Sequence, residues 1–341
     1  MTHVPVLTFF NNKGGVGKTS LVFHVSSMLA RLGHRVLVAD LDPQANLTAA
    51  FLPEEALVQR WEPQSSTDRA LTIFDAVSPL QDVGDVRPVD VANLGPGLAL
   101  IPGDLRLATF EELLTTAWAD VMSSGSRVRA FRILRSFWHV IQTSAHAHDA
   151  GIIVLDVGPS LGGINRTALL ATDAVVVPLA ADLFSLQGLR NLGPTLQRWR
   201  TEWSVRLATG EQPPFDVPHG AMRPIGYVLQ QHAVRLDRPV IAYDRWARRM
   251  PGAFRQYMMP DAGGSVPPTA ADDPFCLALL KHYRSLVPIA QEARKPIFDL
   301  TSADGAVGSH ARSVSDAFRD FKELAGRILK QVPLASHELA G

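Results

Sequence analysis

Short apolar runs recur along the chain, and the segments between them have helical periodicity. Several runs are continuous rather than alternating, which is typical of strands covered on both faces in a parallel sheet. The predicted strands are Val4–Phe10, Val36–Ala39, Leu98–Ile101, Ile152–Leu155, Ala174–Pro178, Ile225–Leu229 and Leu286–Ile289. The main predicted helices are Lys18–Leu32, Leu105–Met122, Arg127–Ser144, Leu186–Trp203 and Ser313–Gln331. This alternation predicts an α/β fold, with a doubly wound, mostly parallel sheet flanked by helices.

Three stretches interrupt this pattern. Residues 52–70 are polar with scattered prolines, 204–222 contain three prolines, and 259–274 combine glycines, prolines and aspartates. We expect irregular structure in each of them, because these residues favour turns and loops. The sequence therefore predicts one large domain over residues 1–341, with irregular excursions near these three places.

Composition narrows the functional classes. The formal net charge is +0, so a surface for nucleic acid or membrane has to be a local patch. Cys276 is the only cysteine, which excludes an intramolecular disulfide and disfavours a thiolate metal cluster within one chain. The N-terminus lacks the features of a secretion signal, and no run of 18 apolar residues occurs. We therefore expect a soluble, cytoplasmic protein.

Residues 11–20, with the sequence NNKGGVGKTS, lie between the first predicted strand and the first predicted helix. Glycines at this point let backbone N–H groups turn toward a polyphosphate at the positive end of the helix. Lys18 can then reach the β- and γ-phosphates, and the Thr19 hydroxyl can bind Mg²⁺. An ordinary phosphate loop would have glycine at position 12, but this chain has Asn12 followed by a second lysine, Lys13. The candidate nucleotide-binding residues of the loop are Lys13, Gly14, Gly15, Val16, Gly17, Lys18, Thr19 and Ser20.

Carboxylates follow two of the other predicted strands. Asp40 and Asp42 come at the end of the second strand, before Pro43, and Asp156 ends the strand Ile152–Leu155. Folds of this class bind ligands at the carboxyl ends of their strands. With a magnesium nucleotide bound, one carboxylate of the first pair can hold metal-bound water and the other can orient the attacking water. Asp156 has the Walker B arrangement, in which the carboxylate holds Mg²⁺ through a water molecule.

These three motifs together resemble those of the deviant-Walker-A ATPases of the ParA/MinD superfamily, and the ParA branch fits better than MinD. Lys13–Thr19 matches the family pattern K-G-G-x-G-K-[ST], and Asp40–Gln44 matches D-x-D-P-Q. The similarity continues through Asn165–Leu192 and Ala293–Leu300. The resemblance implies an Mg²⁺-dependent ATPase that forms a homodimer when ATP binds.

The resemblance also implies a role for each site residue. Lys13 would reach the phosphates bound by the partner subunit, Lys18 would bind the phosphates of its own subunit, and Asp42 would position the attacking water. These three are the expected catalytic residues. The expected metal-site residues are Thr19, Asp40 and Asp156.

At two further positions the match to the family is weaker. The family usually has glycine where this chain has Ala45. Gln230, at the end of the strand Ile225–Leu229, is a candidate contact to the adenine base, and a polar strand end explains it equally well.

The resemblance further implies partners. ParA relatives bind DNA non-specifically as ATP-bound dimers, and a ParB-like or cargo-adaptor protein stimulates hydrolysis. We therefore expect a nucleoid-associated protein that segregates or positions a plasmid, chromosome or protein cargo. For any single arginine, solvated surface charge is the alternative to a phosphate contact. The candidate DNA-binding residues are Arg198, Arg200, Arg206, Arg235, Arg238, Arg245, Arg248, Arg249, Arg284, Arg294 and Lys295.

A MinD-like ATPase acting at the membrane surface is the alternative function. It would use a C-terminal amphipathic helix, and Ser313–Gln331 has that pattern. Its polar side mixes acidic and basic residues, whereas membrane-seeking helices are predominantly basic. The sequence therefore favours a helix that packs on the protein and disfavours membrane binding.

Overall fold

A computed structural model describes residues 2–62, 69–123, 127–230, 239–281, 283 and 285–332. The strands of this part of the chain form one eight-stranded sheet with the order β3-β4-β2-β5-β1-β6-β7-β8. All neighbours pair in parallel except β3 and β4, which are antiparallel. The strands are β1 (Val6–Phe9), β2 (Val36–Asp40), β3 (Ala92–Asn93), β4 (Leu98–Ile101), β5 (Ile152–Asp156), β6 (Ala174–Ala180), β7 (Arg223–Gln230) and β8 (Cys276–Leu280). The predicted doubly wound, mostly parallel sheet is confirmed.

Helices cover both faces of this sheet. They are α1 (Lys18–Arg31), α2 (Asn46–Phe51), α3 (Glu54–Trp61), α4 (Ile73–Val77), α5 (Glu111–Asp120), α6 (Arg127–Leu134), α7 (Ser136–Ala147), α8 (Gly163–Leu170), α9 (Leu183–Ala208), α10 (Pro239–Ala247), α11 (Met250–Met258), α12 (Val287–Ala293) and α13 (Ser309–Leu329). Alternate residues of one strand enter different cores: Ile152 and Val154 face the core under α1 and α13, whereas Ile153 and Leu155 face the core under α5 to α9. This double burial explains why the strands are continuous apolar runs.

One predicted strand is wrong. Leu286–Ile289 does not join the sheet; Leu286 precedes α12, and Pro288 lies in the first turn of that helix. Proline suits this position because the first helical N–H groups have no partner within the helix. The last strand is instead β8, ten residues earlier in the chain, and the short edge strand β3 was also not predicted.

The predicted helices are present, with altered boundaries. Leu105–Met122 begins as a 3₁₀ helix, Leu105–Phe110, before α5, and Arg127–Ser144 is divided at Arg135 into α6 and α7. Of the expected excursions, 52–70 contains α3, although 63–68 lie outside the described residues. The segment 204–222 begins with the last turn of α9 and is then irregular, as is 259–274 apart from one 3₁₀ turn.

The C-terminal amphipathic helix packs on the protein, as the mixed charge of its polar side predicts. α13 lies against α1 and β8, and its apolar residues Phe321, Leu324 and Ile328 are buried. Within the described residues, no helix is both long and apolar enough to cross a bilayer.

Candidate nucleotide site

The loop between β1 and α1 has the backbone conformation that its glycines predict. Gly15 and Gly17 have φ angles of 72° and 70°, in the left-handed region that L side chains rarely adopt. A side chain at Gly14 or Gly15 would meet no atom within 4 Å, so both glycines border open space. Gly17 precedes α1 without a side-chain cap, which leaves the first N–H groups of the helix available to a ligand. The loop is therefore open where an anion would bind.

Lys18 lies across this loop. Its side chain is buried, and its Nζ donates to the carbonyl oxygens of Asn11 at 3.0 Å and Lys13 at 3.1 Å. Burial lowers the pKa of the Lys18 ammonium, while the nearby carboxylates of Asp156 and Asp42 oppose that change. The ammonium is thus held between the loop carbonyls and the acidic strand ends.

Two of the predicted acids are neighbours across the sheet. β2 and β5 pair in a register that places Asp40 opposite Asp156. Asp156 is fully buried, and neither of its side-chain oxygens has a hydrogen-bond partner among the described residues. Burial and then the nearby charge of Asp40 raise its pKa well above the usual range, and the Thr19 hydroxyl lies close enough to moderate that rise. Two unpartnered buried oxygens beside a hydroxyl fit the coordination shell of a hard cation.

Asp40 has protein partners instead. Its Oδ2 accepts from the Thr48 backbone N at 2.8 Å and the Thr48 hydroxyl at 2.7 Å, and its Oδ1 accepts from the Asp42 backbone N at 3.2 Å. Burial raises its pKa to about 6 against these bonds. The Thr48 hydroxyl also accepts from the Gly103 N at 2.7 Å. These contacts favour a supporting role for Asp40, holding α2 and the Asp42 backbone; its predicted place at the metal stays a prediction.

Asp42 is the most exposed of the three acids Asp40, Asp42 and Asp156. It is 9% exposed, and its Oδ1 accepts from the Gln44 backbone N at 3.0 Å. Gly158, in the loop after β5, borders this carboxylate, and a Cβ there would lie 3.2 Å from Asp42 Oδ1. Ala45 follows with φ of 50°, a strained value for alanine in the left-handed region that favours glycine.

Lys13 pairs with an acid outside the phosphate loop. Its Nζ lies 2.5 Å from Oδ2 of Asp182 and 5.5 Å from the ring centroid of Phe184. Sequence reasoning missed Asp182. The pattern Asp-x-x-Ser at the start of a helix signals only a helix cap, since Asp182 caps α9 by accepting from the Ser185 backbone N; it does not signal the pairing with Lys13.

Gln230 reaches the phosphate loop. Its Nε2 donates to the Val16 carbonyl at 2.7 Å, and a Cβ on Gly17 would lie 2.5 Å from the same nitrogen. A cavity of about 530 Å³ opens beside Thr19 and Ser20, between α1, α2 and α12. Its polar lining includes Asn46 and Gln291.

No group of three or more His, Cys, Asp or Glu side chains forms a metal cage in the described ranges. The buried Asp156 carboxylate beside the Thr19 hydroxyl suits Mg²⁺, because Mg²⁺ keeps several waters and binds one or two carboxylates together with substrate phosphates. Thr19 and Asp156 therefore fit the predicted metal site.

The candidate DNA-binding residues have varied surroundings. Arg235, Arg238 and Arg284 lie outside the described residues. Arg206 faces inward, with its guanidinium 4.0 Å from the Trp118 ring centroid. Other candidates are partly or fully exposed: Arg198, Arg200, Arg245, Arg248, Arg249, Arg294 and Lys295. Of these, Arg248 and Arg249 line a cleft of about 220 Å³ between α9 and α11, together with Arg190.

Comparison with known proteins identifies the family of this chain. A family model described as an AAA domain matches residues 4–209. The chromosome partitioning protein ParA of Caulobacter vibrioides is 32% identical over 205 residues, which cover 59% of this chain and 66% of that protein. The sporulation initiation inhibitor protein Soj of Bacillus subtilis is 32% identical over 193 residues, covering 56% and 64%. The match thus spans slightly less than two thirds of the length of these relatives.

Solved structures share the fold. A Corynebacterium diphtheriae protein has a TM-score of 0.64 at 22% identity, covering 96% of this chain and 98% of that one. A putative plasmid partition protein from Borrelia burgdorferi, bound to AMPPNP, has a TM-score of 0.55 at 17% identity, covering 97% and 100%. The family match spans the phosphate loop, both acidic strand ends and Asp182. This chain therefore belongs to the ParA-like ATPases of the ParA/MinD superfamily.

Proposed function

We propose that this protein is an Mg²⁺-dependent ATPase that forms a homodimer when ATP binds. The dimer would associate with DNA non-specifically and segregate or position a plasmid, chromosome or protein cargo, and an adaptor protein would stimulate hydrolysis. One observation carries the enzymatic part: the open glycine loop and the buried Lys18 adjoin the carboxylates of Asp42 and Asp156. The names of the relatives, which are partitioning proteins, support the cargo role.

Each residue has a task in this proposal. The loop N–H groups and Lys18 bind the β- and γ-phosphates, for which Lys18 exchanges its present contacts with loop carbonyls. Thr19 and Asp156 would hold Mg²⁺, which when bound would neutralise phosphate charge. Asp42 orients the attacking water, and Asp40 fixes Asp42 through its backbone N–H.

The nucleoside would extend from the loop past Ser20. The adjacent cavity has room for it, and Gln230 lies against the same loop. We retain Gln230 as the candidate adenine contact, because its amide group already lies against the phosphate loop at Val16 and includes an acceptor oxygen that suits a base.

Dimerisation, DNA binding and adaptor contact rest on the family resemblance and on Lys13. A cation supplied across a dimer couples assembly to the nucleotide, in the manner of an arginine finger. A phosphate-binding patch doubled by a dimer needs no base-reading element. We also retain the single domain over residues 1–341 and a cytoplasmic, nucleoid-associated location as parts of this proposal.

The test compares wild-type protein with Lys13→Ala, Lys18→Ala and Asp42→Ala, using light scattering for dimerisation and a salt series for binding to duplex DNA. Lys330→Ala, which removes an exposed lysine at the end of α13, is the matched control. We expect Asp42→Ala to form a long-lived ATP dimer, and Lys18→Ala not to respond to ATP. DNA affinity should fall steeply with salt, because phosphate contacts release counterions. Wild-type protein that ignores DNA at low salt but binds anionic vesicles with ATP would favour the membrane alternative.

A further inference from the structure

Lys13 is attached to its own subunit at three points. Its backbone N donates to the Asn11 side chain at 2.9 Å, and its carbonyl accepts from Lys18 Nζ. Its ammonium pairs with Asp182. The bond to Asn11 does not involve Lys18, so it can hold the backbone of residue 13 while the ammonium changes partner by rotation of the side chain.

Asp182 is held rigidly at the junction of β6 and α9. Its Oδ1 accepts from the Ser185 backbone N at 2.7 Å, and its Oδ2 faces Lys13. The Ser185 hydroxyl in turn accepts from the Ala180 backbone N at 3.0 Å. Burial opposes ionisation of Asp182, but the bonds from Lys13 and Ser185 outweigh it and lower the pKa of this carboxyl. The acceptor is therefore fixed and charged before any nucleotide arrives.

Two apolar side chains next to this ion pair are exposed to solvent in the single subunit. Leu183 and Phe184 follow Asp182 and are 47% and 71% exposed, although both are large apolar residues. The Phe184 ring lies beside the Lys13 ammonium. Adjoining exposed apolar side chains are a feature of protein contact surfaces, and a second copy is the partner that Lys13 requires.

We propose that Asp182 is the positioning residue that holds Lys13 within its own subunit, and that dimerisation moves Lys13 from this carboxylate to the partner subunit's phosphates. This inference rests on the proposed function, because it takes Lys13 to act across an ATP-bound dimer. An ammonium that extends to the partner subunit's phosphates leaves the carboxylate of its own subunit, so every subunit that enters the dimer breaks one Lys13–Asp182 pair. Asp182 therefore sets how much nucleotide is needed for assembly.

The size of the effect follows from exposure. The side chains of Lys13 and Asp182 are 28% and 33% exposed, so solvent screens the pair. Pairs of this kind change an equilibrium constant by roughly 1.5- to 5-fold. Since two pairs break per dimer, loss of the pair should lower the dimer dissociation constant by roughly 2- to 25-fold.

Asp182→Asn is the appropriate variant, because asparagine caps helices as well as aspartate but carries no charge. Dimerisation would be followed by sedimentation with a non-hydrolysable ATP analogue at low and high salt. Asp149→Asn is a matched control, since Asp149 pairs with Arg35 at 3.5 Å near the amino ends of β5 and β2, whereas the phosphate loop lies at the carboxyl ends of the strands. We expect tighter dimerisation of Asp182→Asn, a smaller difference at high salt, and no change in Asp149→Asn.

A second comparison shows whether the effect passes through Lys13. In a Lys13→Ala background, Asp182→Asn should leave dimerisation unchanged, because the pair is already absent. Dimerisation of Asp182→Asn that equals or is weaker than wild type would overturn the inference and leave the ATP dimer standing. Failure of the wild-type protein to dimerise with the analogue would instead overturn the proposed function and this inference together.

Discussion

Mild acid should destabilise this protein through His24, a residue one turn beyond the phosphate loop. His24 is fully buried in α1 and stacks on Phe321, with ring centroids 4.7 Å apart. Its Nδ1 donates to the Ser20 carbonyl at 2.7 Å, because Nε2 must be the acceptor for the Ile297 backbone N at 3.2 Å. The neutral ring thus connects α1 to the segment before α13. Protonation of Nε2 would remove the acceptor and break the hydrogen bond from the Ile297 backbone N.

The magnitude follows from the pKa. Burial lowers the pKa of His24 to about 4, although the bond to Ser20 opposes the change. An unfolded histidine has a pKa of about 6.5, so between these values the unfolded chain binds more protons and stability falls as the pH falls. Acidification from pH 7.5 to pH 5.0 protonates nearly all of the unfolded-state imidazole and little of the folded one, which at 1.36 kcal/mol per pKa unit lowers the unfolding free energy by about 2 kcal/mol. The loss is nearly absent at pH 7.5 and grows as the pH falls through about 6.5.

Urea unfolding at pH 7.5, 6.5, 5.5 and 5.0 measures this effect. His24→Phe keeps an aromatic ring against Phe321 but cannot titrate, so it should be less stable at pH 7.5 and lose about 2 kcal/mol less than wild type on acidification. His148→Gln, at an exposed position, controls for histidine removal. Parallel pH profiles for wild type and His24→Phe would refute the reasoning, as would an NMR titration that gives His24 a pKa near 6.5.

Two further substitutions test contacts away from the loop opening. Arg255→Met should lower the unfolding free energy by about 3 kcal/mol, measured by urea unfolding, because it leaves the fully buried Asp273 without its ion-pair partner; an unchanged midpoint would contradict this. Thr48→Val should reduce ATP turnover at least about tenfold with little change in nucleotide affinity, because it removes the hydroxyl bond that positions Asp40. Thr48→Ser should restore turnover, and equal losses in both variants would refute that role.

The phosphate loop was predictable because its information is local. The residues from Lys13 to Thr19 are contiguous, and the glycines dictate the turn wherever the segment occurs. The meeting of Asp40 and Asp156 was also predictable in outline, since carboxyl ends of parallel strands share one edge of the sheet. Local pattern and strand direction were sufficient for these features.

Features that depend on tertiary contacts were not predictable in the same way. A short apolar run such as Leu286–Ile289 fits a strand or a buried helix equally, and only packing decides between them. The pairing of Lys13 with Asp182 joins residues 169 positions apart, so no local pattern signals it. The bond between Asp40 and Thr48 likewise depends on the packing of α2 against the end of β2, which the sequence does not specify.

The two lysines of the loop are mechanically connected through the backbone of Lys13. Lys18 Nζ donates to the Lys13 carbonyl, while the Lys13 ammonium pairs with Asp182. A phosphate that draws the Lys18 ammonium toward itself must weaken its bonds to the carbonyls of Asn11 and Lys13. In the proposed dimer, binding of nucleotide by one subunit would therefore loosen the same backbone segment from which Lys13 extends to the other. The position of Lys13 would then depend on whether Lys18 has bound a phosphate, which gives a physical reason for placing both lysines in one loop.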